Sequence, residues 1–307
     1  MSFQGHPRHA IVGIDGTRRC EGAVRAALEL NRKFGTTFEV LHTIDLPSQE
    51  WIHGRPDKVG EMEASIEART YEALADDLAG LARDQAEGVL LREALRVGIG
   101  KPAQLLISRA RESQADLVVI GPHVKKGRMD FGSVARAVLG KAPCAVWVQP
   151  EGEVPEINRI LVPLDLSDES LIALKSSTAM AAELGASIVA LHVFQPPDVA
   201  YAASPGYPVA GPTYVVDDVR KLVLREFEET MASFDWKGVP HEIRFEEGRP
   251  TEVILALASE VELVSMGSHG RTGLASALLG NVAYTVLQGV SVPVVCMRHG
   301  SRGWLLG

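Results

Sequence analysis

The chain repeats itself. HAIVGIDGT at 9–17 aligns with RILVPLDLS at 159–167 at an offset of 150, and the register runs without a gap through Gly35 and Gly185 to VLHTID and ALHVFQ. Asp15 falls on Asp165 and His42 on His192. Further on, GKPAQLLISRA at 100–110 matches GRPTEVILALA at 248–258, DLVVIGPH matches ELVSMGSH, and GSVARAVL at 132–139 matches GNVAYTVL at 280–287. A duplication sets the organisation before any local reading does. It predicts one unit over 1–150 and a second over 151–307, joined by the acidic segment EGEVPEIN at 151–158, which Pro155 interrupts. Each half is long enough for its own core of about 150 residues.

Within each half, short apolar strands alternate with amphipathic helices. In the second half the pattern predicts strands near 159–164, 187–194, 240–246, 262–267 and 293–297, with helices near 168–184, 215–235, 250–260 and 279–288. Runs such as IVALHVF are apolar on both faces, which suits parallel strands covered by helices on both sides. Gly-Lys-Pro and Gly-Arg-Pro put proline in the first turn of a helix, where its missing N–H costs nothing. The expected class is α/β, doubly wound. The stretches 45–60 and 195–214 read as loops, and the first leads into one long helix near 58–86. The last strands, CAVWV at 144–148 and PVVCM at 293–297, would leave exposed pairing edges. Mutual antiparallel pairing, giving an intramolecular pseudo-dimer about a two-fold axis, would cover them.

Composition narrows the function. No apolar run reaches the roughly 18 residues of a membrane span, and MSFQGHPRHA has no apolar core of a secretory signal, so a cytoplasmic protein without a membrane span is expected. Cys20, Cys144 and Cys296 are too scattered for a disulfide framework or a CxxC metal site. Cys144 and Cys296 read as buried small hydrophobes in the last strands, and Cys20 has only a slight claim to reactivity. The formal charge of −8 divides into +1 for residues 1–150 and −9 for 151–307, which argues against a nucleic-acid-binding face.

The sharpest local signal is MGSHGRTGLASALLGNVA, Met266 to Ala283. A strand ending at Gly267 runs into a glycine turn and then a helix, and in an open parallel sheet ligands sit beyond the carboxyl ends of the strands. Gly267, Gly270 and Gly280 permit close backbone approach, and a helix start near Gly280 favours an anion, phosphate being the natural candidate. Asp165, at the end of its half's first strand, could accept hydrogen bonds from a ribose hydroxyl or an amine. The bland alternative is a flexible crossover loop with an Asp in a turn or capping role.

The spacing Gly267-x2-Gly270-x9-Gly280, with Asp165 after VPLD and the LHV strand at 191–193, resembles a universal stress protein domain, here in tandem. The resemblance implies two five-stranded parallel sheets of the Rossmann-like, adenine nucleotide α-hydrolase-like type, paired through their last strands, and in one subclass ATP in each domain. It implies a second-half pocket of Pro163, Asp165, Val193, Met266, Gly267, Gly270, Gly280, Asn281 and Val282. Asp165 would meet adenosine, Val193 the adenine and the glycine turn the phosphates. Asn281 stands where the family usually has Ser or Thr, and its amide can still donate. The corresponding first-half set is Asp15, Thr43, Ile120, Gly121, Gly132, Ser133 and Val134. Here Val124 replaces the second glycine and the loop is two residues shorter, leaving Lys125, Lys126 and Arg128 either to replace backbone donors or to be solvated.

An ATP-binding stress-response regulator is the leading expectation, with AMP or ADP as alternative nucleotides and Mg2+ as an accompanying ion. A slow ATPase or phosphotransferase and a nucleotide-free scaffold are the competing readings, and no nucleophile, base and oxyanion donor assemble in the sequence to name a catalytic residue. A further homodimer is compatible with the family. VGIGKPA, Val97 to Ala103, fits a GxGxxA dinucleotide pattern, but its repeat partner EEGRPT keeps only Gly248, and no Walker-type run is present. His42 and His192 read as half-buried structural imidazoles. His123 and His269, in the glycine turns, either touch phosphate or face water.

Overall fold

The computed structural model describes residues 5–46, 56–121, 123–125, 128–130, 132–196, 213–268 and 279–298. The first half runs β1 (His9–Ile14), a 3-10 turn (Arg18–Cys20), α1 (Glu21–Phe34), β2 (Thr37–Ile44), α2 (Pro56–Ala79), α3 (Gln85–Ala94), β3 (Leu95–Ile99), α4 (Pro102–Glu112), β4 (Leu117–Ile120), β5 (His123–Lys125), β6 (Arg128–Asp130), α5 (Ser133–Lys141) and β7 (Ala145–Val148). The second runs β8 (Arg159–Pro163), α6 (Asp168–Leu184), β9 (Ser187–Phe194), α7 (Thr213–Ser233), β10 (His241–Glu247), α8 (Pro250–Ala258), β11 (Leu263–Gly267), α9 (Asn281–Gly289) and β12 (Val294–Met297).

Ten strands form one sheet in the order β10-β9-β8-β11-β12-β7-β4-β1-β2-β3. Each half contributes five parallel strands in the same order outward from the middle, and the halves meet where β12 pairs antiparallel with β7. The strands are apolar on both faces because both faces are covered. Val12, Trp147, Ile160 and Met297 pack on the side of α1, α2, α3, α6 and α7. Ile11, Val146, Leu161 and Cys296 pack on the side of α4, α5, α8 and α9. Both cores cross the junction between the halves.

Small chemical differences explain where the halves diverge. Ser167 caps α6 by accepting from the Ser170 N–H, and Asp168 and Glu169 occupy the first turn, where the helix dipole favours acids. The first half has Arg18 and Arg19 at those positions. Its chain makes the 3-10 turn there, and α1 starts only at Glu21. The single helix expected near 58–86 is two: α2 stops at Ala79, and Asp84 opens α3 by accepting from the Glu87 N–H at 2.9 Å. The shortened first-half loop folds as a two-stranded hairpin, β5 against β6, with Val124 opposite Met129. β6 lies against α9 of the other half.

Candidate functional site

The described second-half residues that the resemblance implies converge. Pro163 ends β8, Asp165 follows two residues later, Val193 is near the end of β9, and Met266 and Gly267 end β11. Gly280 is the N-cap of α9, and Asn281 and Val282 form its first turn. All eight line one cavity of about 320 Å³ at the carboxyl ends of β8, β9 and β11. Ligand sites of open α/β sheets lie at such ends, and the volume is at the small end of the roughly 300–1,000 Å³ usual for small-molecule pockets. Gly270 and His269 lie outside the described residues.

Two features give the cavity its chemistry. Gly280, the N-cap of α9, makes no side-chain cap hydrogen bond, and the first-turn N–H groups and the dipole at this helix end favour an anion. Asp165 lines the same cavity. Its Oδ1 accepts from the Ser167 N–H at 3.0 Å and from the Ser167 hydroxyl, which holds the carboxylate at a fixed place at the mouth of the strand. The turn role of this Asp and its place on the cavity wall therefore coexist. Asp15 makes the same pair of contacts with Thr17, at 2.9 and 2.7 Å. Burial pushes the Asp15 carboxyl up, but the hydrogen bonds from Thr17 outweigh it and hold it below the usual carboxylate value.

Other lining residues escaped the sequence reading: Ser170, Pro250, Ile254 and Ser268. Ile254 carried a usable signal, since it lies with Ala258 on the buried stripe of α8, which roofs the cavity. Ser268 carried none. It follows a strand in a loop, and its role comes from hydrogen bonds across the molecule.

The two matched histidines are structural. Val193 and His192 of β9 both line the cavity, and the His192 ring stacks on Phe245 at 5.5 Å. His192 Nδ1 lies 2.7 Å from the Leu164 carbonyl. His42 is half-buried in the same place of the first half. Burial pushes its imidazole below the usual value, against the opposing pull of the Ile14 carbonyl and the Asp15 charge. Cys20, Cys144 and Cys296 are buried free thiols, and burial pushes Cys144 and Cys296 up to about 12. Gly100 of the disfavoured dinucleotide pattern and its repeat partner Gly248 adopt φ of 145° and 150° above Leu105 and Val253, which is a backbone requirement.

The first half places its residues in the matching positions. Thr43 is near the end of β2, Ile120 ends β4 and Gly121 follows, while Gly132 caps α5 ahead of Ser133 and Val134. One packing difference stands out. Gly13 replaces Pro163, and Leu106 of α4 descends onto that bare backbone, to 3.0 Å from where a Cβ would be. Lys126 lies outside the described residues, and the description of His123, Val124, Lys125 and Arg128 is limited to their backbone in β5 and β6. Among the described residues, no group of three or more His, Cys, Asp or Glu comes together, and no helix is long and apolar enough to cross a membrane.

Known proteins share this arrangement. The sequence profile of the Universal stress protein family matches residues 7–150 and again 156–298. The universal stress protein Rv2005c of Mycobacterium tuberculosis is 25% identical over 312 residues, covering 97% of this chain and 100% of that protein. The universal stress protein YxiE of Bacillus subtilis is 33% identical over 147 residues, covering 46% of this chain and 99% of its own. The crystal structure of a universal stress protein from Archaeoglobus fulgidus superposes with a TM-score of 0.62 at 19% identity, over 97% of this chain and 98% of that one, a likeness of fold. Two family matches thus span most of the sequence: the chain belongs to the universal stress protein family, carries two of its domains in tandem, and by that membership has support for a role in the stress response.

Proposed function

We propose that the second-half cavity binds ATP and that the protein acts as a nucleotide-dependent regulator. The observation that carries this reading is the convergence of Pro163, Asp165, Val193, Met266, Gly267, Gly280, Asn281 and Val282 on one cavity at the amide end of α9. In this reading Val193 and Met266 give the adenine an apolar wall, Asp165 accepts from a ribose hydroxyl, and the first-turn amides of α9 with the Asn281 side chain receive phosphate oxygens. Among the described residues Asp165 is the one carboxylate on the cavity wall, so Mg2+ would be carried chiefly by the phosphates.

The domain boundary at 150/151 and the action of the halves as an intramolecular pair about the β7–β12 seam are part of the proposal. The first-half site is the weaker one, because its loop is built into a hairpin and Leu106 packs over Gly13. Mass spectrometry of the purified protein after gentle denaturation tests the reading. Release of about one adenine nucleotide per chain, with no turnover of added ATP and magnesium, supports it. A chain that carries no nucleotide and binds none when ATP is added refutes it, and turnover of ATP would make the protein an enzyme.

A further inference from the structure

Three positions change together between the halves, and in the second half they form one connected set. Glu169, Ser268 and Arg298 stand where the first half has Arg19, Pro122 and Pro150. Glu169 is buried, 6% exposed, in the first turn of α6, and Ser268 is fully buried. The Ser268 hydroxyl donates to Glu169 Oε2 at 3.1 Å. A buried carboxylate must be hydrogen-bonded or paired to be tolerated. Arg298, half-buried, sits within the field of the same carboxylate, which opposes the lowering that burial imposes on its guanidinium.

The set touches the site at one end and the other half at the other. Ser268 ties the end of β11 to β12 and to the start of α9: its N–H donates to the Met297 carbonyl at 2.8 Å, and its carbonyl accepts from the Gly280 N–H at 2.9 Å. Gly280 is the N-cap of α9. Arg298 reaches across the seam and donates to the Leu139 carbonyl at 2.8 Å. Leu139 is in the last turn of α5, where carbonyls lack intrahelical partners and the dipole favours a cation. The first half cannot return the contact, since Pro122 and Pro150 offer neither a side-chain donor nor an N–H.

We infer that Glu169 is a positioning residue that, through Ser268, holds the Gly280 N-cap of α9 at the second-half pocket and, through Arg298, links that pocket to the C-terminal end of α5 in the first half. The side-chain contact comes from the second half, and in this inference occupancy of the second-half pocket tightens the seam, as a tighter seam in turn favours occupancy. This inference rests on the ATP reading for its ligand but not for its wiring.

The experiment separates the two. Amide hydrogen exchange is measured on the full chain and on Glu169→Gln, Ser268→Ala and Arg298→Gln, each with and without ATP. Without nucleotide, Glu169→Gln should speed exchange both around Gly280 and across the seam at Leu139 to Ala142, by about fivefold or more, the lower end of allosteric coupling. A local structural role would change the second half alone, and that result overturns the inference. With ATP, the parent should gain protection at Leu139 to Ala142, and Arg298→Gln should lose that gain while still binding. If the parent binds no ATP yet the substitution still acts across the seam, the nucleotide reading fails and the wiring stands. If ATP binds the parent and Glu169→Gln equally, with no effect beyond the second half, the wiring fails and the nucleotide reading stands.

Discussion

Trp147 of β7 stands opposite Val295 of β12 where the halves join, and the two are the same position of the repeat. Val148 pairs with Val294 and Val146 with Cys296, so the pairing is self-complementary about the Trp147–Val295 pair. Such self-complementarity is what the proposed intramolecular pairing of the halves requires. The two residues are equally buried, at 1% exposed, but one is an indole and the other a small β-branched side chain. The indole N–H donates to Gln149 Oε1 at 2.9 Å, which satisfies the one polar atom brought into the seam.

Trp147→Val should therefore cost far more than its position in a short strand suggests. Among the described residues it removes the largest fully buried side chain, and it leaves Gln149 without the indole donor, so a loss of about 3–5 kcal/mol is expected. Val295→Trp, which adds bulk to the same packed layer, should cost about 1–3 kcal/mol. Urea unfolding followed by circular dichroism measures both, and near-parental stability of Trp147→Val would contradict this account of the seam.

A second relationship links Gly16 and Leu166. Both adopt the left-handed conformation after the matched aspartates, with φ of 76° and 62°. Glycine does this freely, whereas an L side chain pays roughly 1–2 kcal/mol. Gly16→Ala should destabilise the chain by about 1 kcal/mol. Leu166→Gly should be close to neutral, and so clearly milder than Gly16→Ala, because relief of the left-handed backbone offsets the lost burial of a partly exposed leucine. Urea midpoints with unchanged slopes are the readout, and equal destabilisation by both substitutions would be the wrong result.

His42 gives a pH dependence whose sign is fixed. Burial holds its folded value below the ordinary 6.5, so the unfolded chain binds the proton more readily. Its contribution is complete above that ordinary value and is lost as pH falls from there toward the folded one. His42→Gln should flatten this part of the profile of stability against pH. A variant whose stability declines over that range as steeply as the parent's would show that the folded chain binds the His42 proton as readily as the unfolded chain does.

Much of this architecture is legible in the sequence, because duplication supplies an internal control on every pattern. Gly35 and Gly185 end their helices in the same left-handed cap, at φ 70° and 69°, and their alignment alone marks both helix ends. Apolar runs such as IVALHVF show that both sheet faces are covered. The pocket residues are legible because they cluster at strand ends and at one helix start. What stays hidden depends on non-local contacts or on small energy differences. The break between α2 and α3 turns on a local cap at Asp84, and the β5–β6 hairpin on a pairing that no periodicity in so short a segment announces. The link from Ser268 to Glu169 spans 99 residues of sequence and has no local pattern at all.

The central claim is that nucleotide is held in the second half, between Asp165 and the amide end of α9, and calorimetric titration with ATP on single-site variants tests it most directly. Asp165→Ala should weaken the tighter binding event by at least about tenfold, equivalent to about 1.4 kcal/mol, and Val193→Trp, which fills the cavity, should abolish it. Asp15→Ala should leave that event unchanged and affect only a weaker one. Binding that is indifferent to Asp165→Ala and Val193→Trp but lost in Asp15→Ala would place the nucleotide in the wrong half and contradict the account.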